Sequence, residues 1–193
     1  MYSLPTEYAV SENVIFKDNG INEYLGLLRE GAKALENGGA DFIVIPCNSV
    51  HIFIDEIRDC VNIPVLSIIE EVTNVLARDE IKKVAVLSSL TTTNNKLYEN
   101  SLEKIDISCM PVDPDTQIQI SELIYRGTHG IVEQTDKELL IEIIDRLTRL
   151  GADRVVLGCT DLHLFIDENT ESQLILDTMQ VLMDKTFKEM IGS

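Results

Sequence analysis

The chain says one thing twice. Gly39-Ala40-Asp41-Phe42-Ile43-Val44-Ile45-Pro46-Cys47-Asn48-Ser49-Val50-His51 returns as Gly151-Ala152-Asp153-Arg154-Val155-Val156-Leu157-Gly158-Cys159-Thr160-Asp161-Leu162-His163, with Gly, Ala, Asp, Val, Cys and His in register. In each copy an amphipathic stretch runs into Gly-Ala-Asp, an apolar run follows, and the run ends in Cys plus a short polar residue. A continuous apolar run between a helix and a turn suits a parallel strand buried on both faces. The duplication therefore restricts the chain to paired α/β units, each ending a buried strand in a thiol. Two such thiols facing one pocket can handle a proton on both faces of one carbon.

The rest of the chain keeps the same alternation. Helical spacing marks Glu23 to Asn37, Val50 to Val61, Glu70 to Arg78, Lys96 to Lys104, Asp115 to Gly127, Lys137 to Leu150 and Thr178 to Met190. Strand-like runs are Phe42 to Ile45, Pro64 to Ile68, Lys83 to Ser88, Ile107 to Pro111, Arg154 to Leu157 and Leu174 to Leu176. Strands alternating with helices predict parallel sheets with right-handed crossovers. Ligands of such sheets sit beyond the carboxyl ends of the strands, where Cys47 and Cys159 both fall. The expected fold is α/β, with two similar lobes, parallel sheets flanked by helices and a cleft between. Residues 1–75 plus 170–193 are assigned to the first lobe and 76–169 to the second. Met1 to Pro5 reads as the tail of a strand with no partner before it, so the first lobe is expected to lack its N-terminal strand and helix.

Charge and cysteine usage narrow the partners. A formal net charge of −17 over 193 residues argues against nucleic acid or an anionic membrane surface. No apolar run is long enough to span a bilayer, and no basic-then-apolar leader opens the chain. Four Cys without a secretory leader read as reduced thiols in the cytoplasm rather than as a disulfide framework. Three scattered His and no Cys-x-x-Cys give no metal site, and no nucleotide fingerprint is present.

An isolated Cys at a strand end is most often a small buried hydrophobe. Recurrence at the same point of two copies points instead to chemistry. A Cys preceding a helix meets that helix's positive pole, which is expected to lower its pKa from roughly 8.5. Backbone N–H groups there form an anion site for a substrate carboxylate, with Asn48, Ser49 and Thr160 adding donors. His51 and His163, each four residues after a Cys, are expected to tune the thiols. Cys60 and Cys109 read as packing residues.

Pro46-Cys47-Asn48-Ser49-Val50-His51 resembles the first-cysteine motif of the cofactor-independent aspartate/glutamate racemase superfamily, most closely its aspartate racemase branch. Gly158-Cys159-Thr160-Asp161-Leu162 resembles the second, Gly-Cys-Thr-Glu-Leu. Between them, Ile68 to Thr73 is similar to Met-Ile-Glu-Glu-Thr, and Leu87 to Thr92 with Tyr98 following is similar to Ala-Thr-x-Gly-Thr before a Tyr. The resemblance implies a small-molecule amino acid as substrate, no pyridoxal phosphate and a homodimer. It implies that Cys47 and Cys159 act as the acid/base pair at Cα. It further implies that Asn48, Ser49, Thr92 and Thr160 hold the substrate's amino and carboxylate groups, with Asp161 standing where the family has Glu.

Four departures from the family pattern stand out. No Gly-Gly-x-Gly-Pro loop opens the chain. Thr6 to Val10, after Pro5, carries no Arg where the aspartate branch has one to read a distal carboxylate, and His129 replaces a Lys. Thr91 also stands in place of a Gly. Loss of both cations shifts the expectation toward a neutral amino acid. Within the same superfamily, cis–trans isomerases use the paired cysteines differently and decarboxylases keep only one. A catalytically inactive chain that persists as a binding or dimerisation module is the alternative of another class.

Overall fold

The computed structural model describes residues 21–167 and 173–192. The expected strand tail at Met1 to Pro5 and the Thr6 to Val10 segment lie outside the described residues. Helix α1 (Ile21–Asn37) leads into strand β1 (Ile43–Val44), a 3₁₀ turn (Ser49–Phe53), α2 (Ile54–Arg58) and β2 (Val65–Leu66). Then come α3 (Ile68–Arg78), β3 (Lys83–Ser88), α4 (Leu90–Asn94), α5 (Leu97–Glu103), β4 (Ser108–Met110), α6 (Pro114–Thr128) and α7 (Gln134–Arg149). The chain closes with β5 (Arg154–Gly158), a second 3₁₀ turn (Thr160–Phe165), β6 (Ile175–Asp177) and α8 (Thr178–Ile191).

The sequence repeat is a repeat of atoms. At the end of α1, Gly39 N–H donates to Glu36 O at 2.9 Å and Ala40 N–H to Leu35 O at 3.1 Å. At the end of α7, Gly151 N–H donates to Thr148 O at 2.9 Å and Ala152 N–H to Leu147 O at 3.1 Å. The two glycines have φ of 85° and 98°, a left-handed conformation that a Cβ opposes. Gly-Ala-Asp is thus a helix stop that turns the chain into a buried strand in both lobes.

Both sheets are parallel. β1 pairs with β2 in the small lobe, and the larger sheet runs β4-β3-β5-β6. Period-two alternation splits the large sheet's faces. Ala85, Leu87, Val155 and Leu157 pack with Ile120, Leu123 and Ile124 of α6 and Leu140, Ile143, Ile144 and Leu147 of α7. Val84, Val86, Val156 and Leu176 pack with Ile68, Val72 and Leu76 of α3, Tyr98 and Leu102 of α5 and Leu182 of α8. The small lobe has its own core of Leu28, Ala32, Ile43, Val50, Phe53, Ile57 and Val65.

Two expectations change. Residues 173–192 join the second lobe, because β6 pairs with β5 and α8 packs on α3 beside it. Hydrophobic runs identify a strand but not the edge that accepts it. The expected helix Val50 to Val61 is a 3₁₀ turn followed by five residues of α-helix, and Cys60 falls in the turn after it. There the Cys60 thiol donates to Ile57 O at 3.1 Å.

Gly158 joins this packing to the site. A Cβ built on it would lie 2.9 Å from Val86 Cγ1 and 3.0 Å from Ser88 Cβ on β3. Val86 is β-branched and stiff, so the strands would have to part just before Cys159. Gly158→Ala is expected to cost about 1–3 kcal/mol, read as a lower urea midpoint with an unchanged m-value.

Candidate active site

Cys47 follows β1 by three residues, and Cys159 immediately follows β5. The fold brings them into one neighbourhood: charge on Cys47 raises the pKa of Cys159, and Asp161 raises both. Both thiols are raised above the usual value of 9.0, with loss of hydration the largest cause in each case. Backbone N–H groups of Val50 and Ser49 oppose the shift at Cys47, and that of Asp161 opposes it at Cys159. The expected helix-pole effect is therefore real but outweighed. The helical elements beyond the thiols begin as single 3₁₀ turns, and burial removes more hydration than two N–H groups return. Each cysteine keeps a partly accessible surface, but the protein around it excludes most water.

Asn48 is buried, with both the oxygen and the nitrogen of its amide engaged. Its Oδ1 accepts from the Tyr98 hydroxyl at 2.5 Å, and its Nδ2 donates to Thr178 Oγ1 at 3.1 Å. Ser49 Oγ lies 2.7 Å from Ser89 Oγ and 3.2 Å from Thr92 Oγ1, and Ser89 caps α4 by accepting from Thr92 N–H. These hydroxyls form a buried cluster across the seam between the lobes. Thr160 opens the second 3₁₀ turn and is half-buried. The Cys159 thiol faces Asp161 Oδ2 at 3.7 Å, and burial raises the Asp161 carboxyl above its ordinary range. An apolar cavity of about 300 Å³ opens beside Cys47, walled by Leu28 and Ala32 of α1 and by Ile45, Pro46 and Val50. Among the described residues that line it there is no lysine or arginine.

The two histidines have separate fates. His51 Nδ1 lies 2.8 Å from Cys47 O, and its Nε2 accepts from Ile68 N–H at 3.1 Å. A carbonyl can only accept and an amide N–H can only donate, so the partners fix the neutral tautomer with the proton on Nδ1. Burial lowers its pKa to about 4. His51 therefore ties the Cys47 turn to the start of α3 and is not poised to exchange protons with the thiol. His163 is exposed and pairs with Asp177. His129 is also exposed, capping α6 through Tyr125 O at 2.7 Å. Cys109, on β4, packs against the large sheet's core with its pKa pushed up to about 12 by burial, then by Glu99.

Of the expected site residues, Cys47, Asn48, Ser49, Thr92, Cys159 and Asp161 meet at this seam. Ser89 and Thr178 were not singled out by their sequence context. Asp177-Thr178 carried a usable signal, since Asp before a helical run marks an N-cap. Among the described residues no group of three or more His, Cys, Asp or Glu is arranged to hold a metal ion. No described helix is long and apolar enough to cross a membrane.

Paired parallel lobes with a thiol at a strand end in each define a two-cysteine α/β class. The Asp/Glu/hydantoin racemase family model matches residues 15–186, and the chain belongs to that family. It is 28% identical over 190 residues to the broad specificity amino-acid racemase of Bacillus subtilis strain 168, spanning 96% of this chain and 78% of that protein. It superimposes on an aspartate racemase homologue from Pyrococcus horikoshii OT3 with a TM-score of 0.77 at 25% identity, covering 96% of this chain and 82% of the other. Against the Picrophilus torridus aspartate racemase the TM-score is 0.76 at 23% identity, covering 96% and 75%. Likeness to the aspartate racemase branch is thus substantial in fold.

The His51 arrangement has a pH signature. Folded, it resists protonation down to about pH 4, whereas the unfolded chain takes up a proton near the ordinary 6.5. The stability involved is fully present above pH 6.5 and is lost as pH falls toward 4, by about 3 kcal/mol at most. In urea titrations His51→Gln is expected to be less stable at pH 7.5 yet to show a flatter decline between pH 6.5 and 4. An unchanged slope would place the acid sensitivity elsewhere.

Proposed function

We propose that this chain is a cofactor-independent amino-acid racemase in which Cys47 and Cys159 serve as a two-base pair. The observation that carries the reading is that two motif cysteines, from equivalent points of a duplicated unit, share one water-poor environment with Asp161. In the forward direction one sulfur, as thiolate, takes the Cα proton and becomes a thiol. The opposite thiol gives its proton to the other face of the planar carbanion and is left as thiolate. Bonds and charge balance, and the product is the mirror image. The reverse reaction exchanges the roles.

The remaining residues fit this use. Hydroxyls of Ser49, Thr92 and Thr160 offer donors to the substrate carboxylate, the first two already drawn together with Ser89. Asp161 offers a counter-charge to the ammonium. The cavity beside Cys47, whose described lining is apolar, supports a neutral or apolar side chain over aspartate. Reduced thiols are required, which fits the cytoplasm.

A homodimer is supported by α8. It exposes Met183, Phe187, Met190 and Ile191 along one face, with exposed Asp184 and Lys188 one turn apart on its rim. A two-fold axis across the helix sets Asp184 of each copy against Lys188 of the other, so the face complements itself. Phe187→Glu is expected to convert dimer to monomer in light scattering. A mass unchanged from the parent would remove α8 from the interface.

The decisive experiment is deuterium incorporation at Cα across a panel of amino acids in heavy water. Cys47→Ala and Cys159→Ala should each abolish racemisation, whereas Cys60→Ala and Cys109→Ala should retain it. Because both resting thiols lie above 9.0, the active thiolate grows as pH rises. Log kcat/KM should therefore climb with a slope of about one from pH 6 to 8. Near-parent racemisation by either of the first two variants would refute the two-base assignment.

A further inference from the structure

The residue beside Cys47 and the strand carrying Cys159 are joined by one continuous chain of hydrogen bonds. The Tyr98 hydroxyl donates to Asn48 Oδ1 at 2.5 Å, Asn48 Nδ2 donates to Thr178 Oγ1 at 3.1 Å, and Thr178 Oγ1 donates to Leu157 O at 2.8 Å. Every group along it is buried: Tyr98, Thr178 and Leu157 at 0% exposure, Asn48 at 2%. The sense of each bond is fixed by its neighbours. Leu157 O can only accept, so the threonine hydroxyl points its proton there and receives the amide N–H. That orients the Asn48 amide, whose oxygen then takes the phenolic proton.

Two members of this chain lie within two residues of a motif sulfur. Asn48 follows Cys47 directly, and Leu157 precedes Cys159 by two positions on β5. Tyr98 comes from α5 and Thr178 from the first turn of α8, so both members packed in the second lobe grip a side chain of the first. Charge on Cys159 raises the pKa of Tyr98, which locates the phenol beside that sulfur as well. Tyr98 is otherwise sealed in the core formed with Val84, Val86 and Val156, so its ring cannot follow the Cys47 turn if that turn moves.

From this geometry we infer that Tyr98 and Thr178 are positioning residues, and that the Tyr98–Asn48–Thr178–Leu157 brace sets the separation of the Cys47 and Cys159 sulfurs. Asn48 thereby acts first as a strut between lobes. It retains one N–H and one lone pair for any contact with substrate. The inference rests on the two-cysteine reading for its effect on turnover, but not for its effect on geometry. Transfer to one face and from the other requires both sulfurs in line with Cα. A misplacement of about 1 Å in such an arrangement costs on the order of a hundredfold in rate. Buried polar groups satisfied in a single sense hold one arrangement against its neighbours, which an apolar contact of similar size does not.

The test uses the full chain carrying Cys60→Ala and Cys109→Ala, so that only the two seam thiols remain. Dibromoacetone, a short reagent that bridges two thiols, is added at pH 9, and the bridged Cys47–Cys159 product is followed by mass spectrometry. Tyr98→Phe is expected to lower the bridging rate severalfold while single alkylation continues and the far-ultraviolet circular dichroism matches the parent. On the amino acid that turns over best, its kcat should fall about tenfold to a hundredfold equally in both directions, with KM changed less than threefold. Thr178→Val should behave as Tyr98→Phe does, and Thr178→Ser, which keeps the hydroxyl, should restore both readouts. If Tyr98→Phe does not fold, the Val and Ser pair at Thr178 decides the matter alone. Parent-like bridging and kcat in Tyr98→Phe, or in Thr178→Val, overturn the brace. Bridging that responds in a parent chain that racemises nothing would sustain the brace and refute the racemase reading instead.

Discussion

The site depends on a contest between hydration and a few fixed dipoles. Two thiols just beyond parallel strands pack against the cores of their own lobes, and loss of water raises both above the ordinary thiol range. Backbone N–H groups at the following turns work the other way and lose. The resting molecule therefore keeps its sulfurs neutral. That protects them from oxidation and alkylation, which need thiolate. A zwitterion entering such a site changes the balance more than any residue already there. Its ammonium brings a positive charge into a low-dielectric space where each charge counts heavily. In the proposed racemase, ionisation of one thiol is thereby coupled to occupancy by the substrate's ammonium.

The seam between the lobes carries a buried cluster of hydrogen-bonded polar side chains. Ser49 meets Ser89 and Thr92, and Asn48 meets Tyr98 and Thr178. An apolar seam would have bound the lobes as tightly while allowing them to slide. Hydrogen bonds with fixed sense specify register, and register is what the proposed two-base reaction needs. The arrangement also explains the pressure on small residues. Gly158 admits β3 against β5 just before Cys159, where any side chain would push the thiol out of line.

The legible part of this fold was the part written in periodicity and repetition. Lys83 to Ser88 is a strand with the bounds its apolar run implies, and Glu23 to Asn37 and Thr178 to Met190 lie within α1 and α8. The placement of Cys47 and Cys159 just beyond two buried strands was legible because the same context recurs. What sequence spacing could not carry was partnership. Ile175 and Leu176 look like a strand, yet nothing local says that β5 rather than the first lobe receives them. The four-residue step from Cys47 to His51 suggested a tuned thiol. A 3₁₀ turn in place of an α-helix, and the N–H of Ile68 waiting for an acceptor, made His51 a structural clip. Ser89 and Thr178 were silent because a hydroxyl at a helix start is ordinary until its neighbour across the seam is known.

The duplication has not left two equivalent halves. In the first copy the histidine is buried and bonds the carbonyl of its own cysteine, whereas in the second it is exposed and pairs with Asp177. The residue two after the cysteine is a serine facing hydroxyls in one copy and an acid beside the sulfur in the other. A thiolate at Cys47 would meet two backbone N–H groups, while one at Cys159 would meet a single N–H and the nearby Asp161 carboxylate. The first proton to leave the empty site is therefore better tolerated at Cys47, and a positive group docked against Asp161 is what would even the pair. In the proposed two-base reaction, turnover in both directions requires near-equality of the thiols only while substrate is bound. Asymmetry in the empty site and symmetry in the occupied one are compatible as long as the substrate itself carries the balancing charge.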